Sequence, residues 1–383
     1  MKVRILFGIS LLALSAAACS DDKPATPTQP TVQTPVAPTL TAPAADTPDD
    51  DQQLDTLQPS LRIVNATSNQ TGAKTYEFQI SDDSNFSAAS ASSYAGTFKV
   101  IASKTGVSED PSGKTTFQVT DDLQPTTRFY WRARVHQGST DGPWSSTRSF
   151  KTQVQGYNRP GELFDPLTNG LTVGALVGSV TLTPGRGATI NTNDSHIRYI
   201  LAQTLTAGEF SLEVTGVAND STGDKTKIMA MYDGNGDITT SNWRCTVEKR
   251  DGGIVAWRFI AGAPGAAQID TGPDQRLPVG FNPGVTFGWK ATWGGGFRVQ
   301  VKAGGLNGNT VYDQGAGLGA VYAPNPHMAF LGSPIGRAGP GDASTPGATY
   351  TNVWIGNHAR PTSLGSALID KGISQAQRAN ATR

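Results

Sequence analysis

Trp289 and Trp293 lie four residues apart in FGWKATW, a spacing that places both rings on one face of a strand when no bulge intervenes. On an open sheet face such rings stack on the apolar side of a sugar; in the alternative, they fill the core. Binding residues also concentrate on loops, and Tyr322, His327 and Arg337 lie in or beside the Gly- and Pro-rich segment PNPHMAFLGSPIGR. These five residues are therefore candidates for a ligand site.

A second group of residues is of the types that carry out β-elimination on a uronate polymer. That reaction needs a Tyr or His to remove the proton α to the carboxylate, and an Arg, Gln or Asn to neutralise that carboxylate. Such residues, and one lysine, are His196, Arg198, Tyr199, Lys290, Tyr312 and Gln314. The stretch FRVQVKAGGLNGNTVYDQG resembles the lysine-alanine-glycine and tyrosine-x-glutamine elements of alginate lyases, whose QIH and RSE-type motifs are missing here. His196 joins the ligand-binding candidates, with a structural histidine in a strand as the alternative.

The spacing of the acidic residues does not indicate a pair for glycoside hydrolysis. Jelly-roll glucanases carry their acids as E-x-D-x-x-E on one strand, so that alternate side chains reach the same cleft. No such spacing occurs, because Thr215 stands two residues after Glu213 and Arg250 stands two residues after Glu248. The sequence therefore assigns no catalytic residue.

The segment DGNGD begins like a calcium-binding loop, with oxygen ligands at Asp233, Asn235 and Asp237. Ile238 then replaces the glycine of such a loop, and Arg244 stands where a bidentate Glu would close the site. A hairpin turn is the better interpretation. No His or Cys spacing indicates a metal centre, and no phosphate-binding loop occurs, so we predict no metal and no cofactor.

These candidates lie in a region with the pattern of many short β-strands. Between Gly161 and Pro361, about eleven apolar or alternating segments are separated by Gly-rich links, without helical periodicity. The segments FDPLTNG, GEFSLEVT, WKATWGGGFRVQVKAGG and TNVWIGN together resemble a concanavalin A-like lectin/glucanase jelly roll. That fold hosts lectins, carbohydrate-binding modules, glycoside hydrolases and polysaccharide lyases, so the resemblance implies a carbohydrate ligand without deciding an activity.

An earlier region has the alternation of half-buried strands. Tyr76, Phe78 and Ile80 fall on one face of KTYEFQIS, and RFYWRARV alternates in the same way. The segments TYEFQISDDSNF, LQPTTRFYWRARV and GPWSSTRSFKT resemble a bacterial fibronectin type III domain over residues 36–153. The resemblance implies a spacer or protein-contact module without chemistry, in which Trp144 packs at a strand edge or, in the alternative, serves as a ligand platform.

The N-terminus has the pattern of an export signal. Two basic residues precede the apolar run ILFGISLLAL, and small residues then lead up to Cys19. Small residues followed by cysteine resemble the lipobox of bacterial lipoproteins, which implies that Cys19 is lipidated. Ser20, in place of Asp, implies the outer membrane; the alternative is an ordinary signal in which Cys19 is incidental. The following residues are rich in Pro and Thr and form a predicted tether.

Charge and cysteine content narrow the range of partners. Lys plus Arg and Asp plus Glu number 31 each, so no overall field attracts nucleic acid. With Cys19 lipidated, Cys245 has no cysteine partner and is predicted to be a buried apolar residue.

The sequence thus predicts an all-β protein with a signal peptide (1–18), a tether (19–35), a fibronectin type III-like domain (36–153), a concanavalin A-like jelly roll (155–362) and a polar tail (363–383). We expect a non-enzymatic, lipid-anchored protein of the bacterial outer membrane whose jelly roll binds a polysaccharide or cell-surface glycan. An exported lyase or hydrolase acting in the jelly-roll cleft is one alternative. A purely structural surface protein is the other.

Overall fold

Short strands separated by turns make up the secondary structure of the protein. A computed structural model describes residues 36–87, 102–217, 225–234, 241, 243–250, 253–261, 269–270, 275–277, 282–316, 325–334 and 343–364. Strands occur throughout these residues and no helix does, which confirms the predicted all-β class. No helix within these described ranges is therefore long and apolar enough to cross a membrane.

The first sandwich is formed by two facing sheets. One consists of β1 (Ala44–Thr47), β3 (Ser60–Val64) and β6 (Lys114–Gln118). The other consists of β2 (Gln52–Gln53), β4 (Thr75–Ser81), β5 (Ala102–Ser108), β7 (Arg128–Gln137), β8 (Thr140–Asp141) and β9 (Arg148–Lys151). The strand orders are β1-β3-β6 and β2-β9-β7-β4-β5, with β8 on β7. This is a fibronectin type III-like sandwich.

Alternation along the central strands builds the core of this sandwich. The predicted inward residues Tyr76, Phe78 and Ile80 on β4 are fully buried, and so are Phe129 and Trp131 on β7. The opposite face of β7 is polar. On that face the guanidinium carbons of Arg132 and Arg134 lie 4.2 and 4.7 Å from the ring centroid of Trp144. Trp144 is thus stacked with protein cations at the edge of the sheet.

The first sheet of the second sandwich contains both the first and the last strand of that sandwich. Its strands are β10 (Tyr157–Arg159), β11 (Glu162–Asp165), β13 (Val180–Thr183), β14 (Gly187–Ile190), β16 (Gly208–Thr215), β22 (Phe287–Trp293), β23 (Phe297–Ala303), β24 (Asn309–Ala316) and β27 (Thr349–Gly356). The order is β10-β11-β27-β16-β22-β23-β24, and β14 joins β13 to β27.

The second sheet lies on the other side of the core. Its strands are β12 (Ala175–Val177), β15 (His196–Ile200), β17 (Thr226–Tyr232), β18 (Trp243–Arg250), β19 (Gly253–Ala261), β20 (Ile269–Asp270), β21 (Gln275–Arg276), β25 (Met328–Gly332) and β26 (Ala343–Ser344). The order is β12-β15-β25-β17-β18-β19-β20, with β21 on β19 and β26 on β17. The two sheets bury one hydrophobic cluster between them.

Two residues in that cluster show how the sheets are held together. Cys245 is 4% exposed and free among the described residues, as the sequence predicts, so it serves as a small apolar core residue. The hydroxyl of Tyr350, on β27, donates a hydrogen bond of 2.5 Å to the carbonyl oxygen of Ile228, on β17. A polar contact therefore crosses the core from one sheet to the other.

The two sandwiches have separate cores but share a junction within one compact unit, Pro38–Arg383. The Gln124 amide donates to the Tyr157 hydroxyl, the Thr126 hydroxyl donates to the Gln155 carbonyl at 3.1 Å, and Thr127 forms a β-bridge with Leu364. The chain thus enters the second sandwich and returns from it at the same place on the first.

Candidate functional site

Trp289 and Trp293 do share a face of β22, and that face is the core. They are 2% and 5% exposed and belong to the cluster between the two sheets. The indole nitrogen of Trp293 donates to the carbonyl oxygen of Leu205 at 3.1 Å. Neither ring presents a free face to solvent. Both tryptophans therefore fill the core, which was the alternative to a sugar-binding face.

Of the three loop candidates, the structure describes one. His327 is half-buried just before β25, and its Nδ1 lies 3.1 Å from the hydroxyl oxygen of Thr204. Its backbone nitrogen donates to the carbonyl oxygen of Tyr232. Tyr322 and Arg337 lie outside the described residues.

The residues considered for β-elimination are divided among different surfaces. The hydroxyl of Tyr199 points into the core and donates to Asp165 at 3.1 Å, and burial raises the pKa of that carboxyl to about 6. Tyr312 belongs to the core cluster, and Lys290 lies on the outer face of the first sheet. Only His196 and Arg198 are on the outer face of the second sheet, so the alginate lyase resemblance does not correspond to one assembled site.

Period-two alternation explains the orientation of His196 and Arg198. Ile197 and Tyr199 between and after them are core residues, so His196 and Arg198 point to the other side of the sheet. The pairing register extends this row across the sheet, from Arg198 through Phe330, Ala230 and Thr246 to Arg258. Strands are spaced about 4.8 Å apart, so the two arginines lie about 19 Å from one another.

Basic residues from four strands meet on this side. Among the side chains that the structure describes, five basic ones share the outer face of the second sheet, hereafter the basic face: Arg198, Lys227, Arg244, Arg250 and Arg258. Apart from Arg198, sequence analysis missed them as a group. Their signal is the alternation in WRCTVEKR, where Cys245 and Val247 are core residues and the arginines flank them. The non-local strand order then brings the separate segments together.

Glu248 is the one carboxylate among the described side chains of the basic face, and it is 3% exposed. Its Oε1 accepts a hydrogen bond of 2.8 Å from the Thr246 hydroxyl. Its Oε2 lies 3.4 Å from Nε of Arg250 and 3.8 Å from Nη1 of Arg258. One buried carboxylate thus orients two arginines.

A small apolar layer lies beneath the charged groups. Ala230, Tyr232, Met328 and Phe330 form a cluster of their own, each at most 1% exposed, apart from the main core. The ring of Phe330 is 5.4 Å from that of Tyr232 and 5.9 Å from that of His196, centroid to centroid, with edge-on geometry in both pairs. These aromatic contacts fix the positions of the polar side chains around them.

His196 occupies a confined position at one end of the face. It is 5% exposed and lies opposite Gly332, where a Cβ would approach Ser344 Oγ to 2.6 Å and the His196 Cβ to 3.2 Å. Burial and the nearby Arg198 lower the pKa of His196 to about 4, so its imidazole is neutral at neutral pH. Within the described part of the chain, neither Nδ1 of His196 nor Nε of Arg198 has a hydrogen-bond partner.

The outer face of the first sheet carries buried carboxylates, and these have partners in the protein. The acidic face consists of Glu162, Glu209 and Glu213, each at most 6% exposed. Glu162 lies 2.6 Å from Nε of Arg159 and 3.3 Å from Nε2 of His358. Glu209 lies 3.3 Å from Nζ of Lys290 and accepts a hydrogen bond of 2.8 Å from the Ser211 hydroxyl. Glu213 accepts a hydrogen bond of 2.9 Å from the backbone nitrogen of Leu306. The alternation E-x-S-x-E in GEFSLEVT is the sequence signal for this face, and sequence analysis did not use it.

The segment after β27 closes over the acidic face. The Arg360 guanidinium donates to the Asn352 carbonyl at 2.9 Å and to the Leu364 carbonyl at 3.2 Å, and it lies 5.3 Å from the Phe164 ring centroid. Burial lowers the pKa of Arg360 to about 10. The carboxylates of Glu213 and Glu209 oppose this shift, because they favour the charged guanidinium. Basic side chains of the protein itself therefore lie around the carboxylates of the acidic face.

The described residues form no cluster of side chains suited to a metal ion. No group of three or more His, Cys, Asp or Glu side chains there could hold an ion. Asp233 accepts a hydrogen bond of 3.1 Å from the backbone nitrogen of Trp243. The other oxygen positions of DGNGD, at residues 235 and 237, lie outside the described ranges.

Comparison with known proteins gives distant structural similarity only. No family model matches the chain, and no curated protein matches it. A fibronectin type III domain of the human KIAA0970 protein is 15% identical over 32% of this chain and 78% of that chain, with a TM-score of 0.19. The chicken CNTN1 FN1–FN3 domains are 7% identical over 72% of this chain and 68% of that chain, with a TM-score of 0.21.

A third similar structure has two domains. It is a protein of unknown function from Bacteroides fragilis, 8% identical over 83% of this chain and 94% of that chain, with a TM-score of 0.19. At these TM-scores, the fold of the present chain rests on its own strands and pairings: an all-β protein whose first sandwich is fibronectin type III-like.

Proposed function

We propose that this chain is a lipid-anchored protein of the bacterial outer membrane in which the first sandwich is a spacer and the second, a concanavalin A-like jelly roll, binds carbohydrate on its basic face. The carrying observation is the pair of polar side chains at one end of that face, His196 and Arg198. His196 Nδ1 and Arg198 Nε are buried without a partner among the described residues. Convergent unsatisfied polar groups of this kind are typical of ligand sites.

The spacer role is supported by the first sandwich. It has a hydrophobic core of its own, and the half-buried Trp144 at its edge is stacked with Arg132 and Arg134. Fold alone assigns no ligand to such a module. We therefore place the binding function in the second sandwich.

Affinity electrophoresis of the detergent-purified full chain in gels that contain single polysaccharides tests the binding function. We expect at least one polysaccharide to retard the protein. The double variant Arg198→Gln/Arg258→Gln should weaken that binding about tenfold or more, because each lost charged hydrogen bond is worth roughly 1.5–3 kcal/mol. The matched control is Lys290→Gln/Arg298→Gln, which removes two positive charges from the outer face of the first sheet. Retardation by no polysaccharide, or equal loss in the control, would contradict the proposal.

Lipid attachment has its own test. A Cys19→Ala variant of the full chain should not incorporate labelled fatty acid and should leave the membrane fraction, since acyl chains supply the anchoring energy. Unchanged membrane association in that variant would contradict the anchor and leave the binding proposal standing.

A polysaccharide lyase is the second candidate, favoured by the single observation that a neutral His196 lies two residues from Arg198 on one face. In β-elimination a base removes the proton α to the carboxylate, the glycosidic C–O bond breaks, a C=C bond forms, and the leaving oxygen takes up a proton. Incubation of the full chain with uronate polymers should then produce the ultraviolet absorbance of an unsaturated uronate, and His196→Gln should abolish it. Binding without this absorbance identifies the protein as a binding module.

A further inference from the structure

Arg198 lies beside the open edge of the second sheet. β12 is the last strand of that sheet on this side, and its Ala175 stands opposite Arg198. Ala175 is exposed, Ile200 at the next outward position of β15 is 42% exposed, and Arg198 itself is half-buried. A ligand can therefore reach the Arg198 guanidinium by passing over β12.

The opposite side of Arg198 is closed. Its neighbour across the sheet is Phe330 on β25, which is 1% exposed. Opposite His196, Gly332 leaves no room for a side chain, because a Cβ there would lie 2.6 Å from Ser344 Oγ. A ligand that enters over β12 thus ends at these two polar side chains, so this end of the face has room for the end of a chain and not for its length.

Two buried polar atoms at this end of the face lack partners. Nδ1 of His196 and Nε of Arg198 have no hydrogen-bond partner within the described ranges. The hydroxyl groups nearby are already engaged, since Ser195 Oγ and Ser344 Oγ each accept a hydrogen bond of 2.7 Å from a backbone nitrogen. A buried donor without an acceptor costs free energy, and a ligand that supplies the acceptor removes that cost.

We propose, on the basis of the carbohydrate-binding function above, that this end of the basic face binds one terminal acidic sugar of a glycan, whose carboxylate accepts two parallel hydrogen bonds from Arg198, one of them from Nε. The planar donors of a guanidinium match the two oxygens of a carboxylate. His196 Nδ1 then pairs with a sugar hydroxyl beside the carboxylate. Its pKa of about 4 keeps the ring neutral, so the ring offers one donor and one acceptor.

Apolar side chains flank the two polar ones. Ala175 and Val177 on β12 lie opposite Arg198 and His196, and Ile200 follows them on β15. The C–H face of a pyranose ring packs against side chains of this kind, while a few polar groups fix its orientation. Inorganic phosphate would pair with the arginine and leave the apolar side chains uncovered. A sugar acid suits both parts of the site.

Titration of the full chain in detergent with monosaccharides tests the carboxylate requirement. The probes are the methyl glycosides of glucuronic and galacturonic acid, each beside the methyl glycoside of the corresponding neutral sugar. We expect the acid of at least one pair to bind about tenfold more tightly or better. The acid should also shift the ring resonance of His196, which is one of only four histidines in the chain and is identified by His196→Gln.

Oligomers test whether a single sugar enters the site. Uronate oligomers of one, two and four sugars, built on the acid that binds, should have dissociation constants within about threefold of one another, because only the terminal sugar contacts Arg198. A gain of about tenfold or more with each added sugar would overturn the single-sugar site.

Variants of Arg198 locate the effect. Arg198→Gln should abolish the preference for the charged glycoside. Arg198→Lys keeps the charge but loses the paired donors, so it should keep only part of that preference. The matched control is Arg298→Gln on the first sheet, where the arginine side chain is 57% exposed, and it should change nothing. Equal loss in this control would overturn the inference.

The outcomes separate this inference from the proposed function. Equal binding of charged and neutral glycosides would overturn the inference and leave carbohydrate binding in place. Retardation by a polysaccharide without binding of either uronate would do the same. Binding of no sugar and no polysaccharide would overturn both. Inorganic phosphate bound as tightly as the uronates would overturn the inference, since the site would then select charge alone.

Discussion

The two outer faces of the second sandwich differ in how their buried polar side chains are paired. On the acidic face Glu162, Glu209 and Glu213 each have a cation, a hydroxyl or a backbone N–H of the protein within hydrogen-bond or ion-pair distance. On the basic face Glu248 contacts Arg250 and Arg258, whereas Nδ1 of His196 and Nε of Arg198 are buried without a hydrogen-bond partner among the described residues. Both faces come from the same strand alternation. The difference teaches that a buried polar group with a partner in the fold is structural, while one without such a partner is available to a ligand.

The largest predicted change in stability, and the strongest test of this comparison, concerns the acidic face. Glu213→Ala should lower the free energy of unfolding by about 3 kcal/mol, because the Leu306 N–H loses its acceptor and Arg360 loses a compensating charge. Urea unfolding measures the loss. Glu213→Gln keeps an acceptor and should cost less. A cost below about 1 kcal/mol for the alanine variant would show that this face is no more structural than the other.

A pH titration of stability compares a histidine on each face. The pKa of His196 falls from 6.5 to about 4 in the folded protein, so the unfolded chain binds that proton more readily. Its contribution is present in full above pH 6.5 and is lost as pH falls to about 4, an effect of roughly 3 kcal/mol. His196→Gln should therefore flatten this part of the decline in urea midpoint. An unchanged acid decline would show that His196 is not desolvated.

His358 should respond in the opposite direction. Its hydrogen bond to Glu162 raises its pKa above 6.5, so its stabilisation is present below pH 6.5 and is lost as pH rises through the raised value. His358→Gln should flatten the decline on the alkaline side and leave the acid side unchanged. The same urea titration measures it, and a variant that alters only the acid side would contradict the pairing with Glu162.

The smallest stability effect is expected on the basic face. Arg198→Met should change the free energy of unfolding by less than about 1 kcal/mol, because the side chain keeps its apolar stem and Arg198 makes no ion pair with the described residues. Thermal unfolding measures this change beside the binding loss expected of the same residue. Destabilisation above about 2 kcal/mol would place Arg198 among the structural charges and remove the contrast between the faces.

Alternation along single strands was sufficient to predict which residues share a face. It placed Tyr76, Phe78 and Ile80 together, and the strand pattern predicted the all-β class. Alternation alone does not show whether the apolar face of a strand packs against a second sheet or is open to a ligand. Trp289 and Trp293 were therefore paired correctly, but on the inner side.

The set of residues on the basic face could not be predicted from any single segment of the sequence. β15 pairs with β25, whose residues follow it by more than a hundred positions, and β25 then pairs with β17. Pairing between segments so distant in sequence leaves no local trace, so the placement of Arg198 on the same face as Arg244 and Arg258 depends on the order of strands in the sheet. The lone pattern in WRCTVEKR predicted a strand and no more.

The junction between the sandwiches has a mechanical consequence. Gln124 and Thr127 hold both the entry of the second sandwich, at Tyr157, and its return, at Leu364. Two points of attachment restrict rotation of the second sandwich about the connecting chain more than one point would. A force applied to the second sandwich therefore acts on these contacts as well as on the covalent connection.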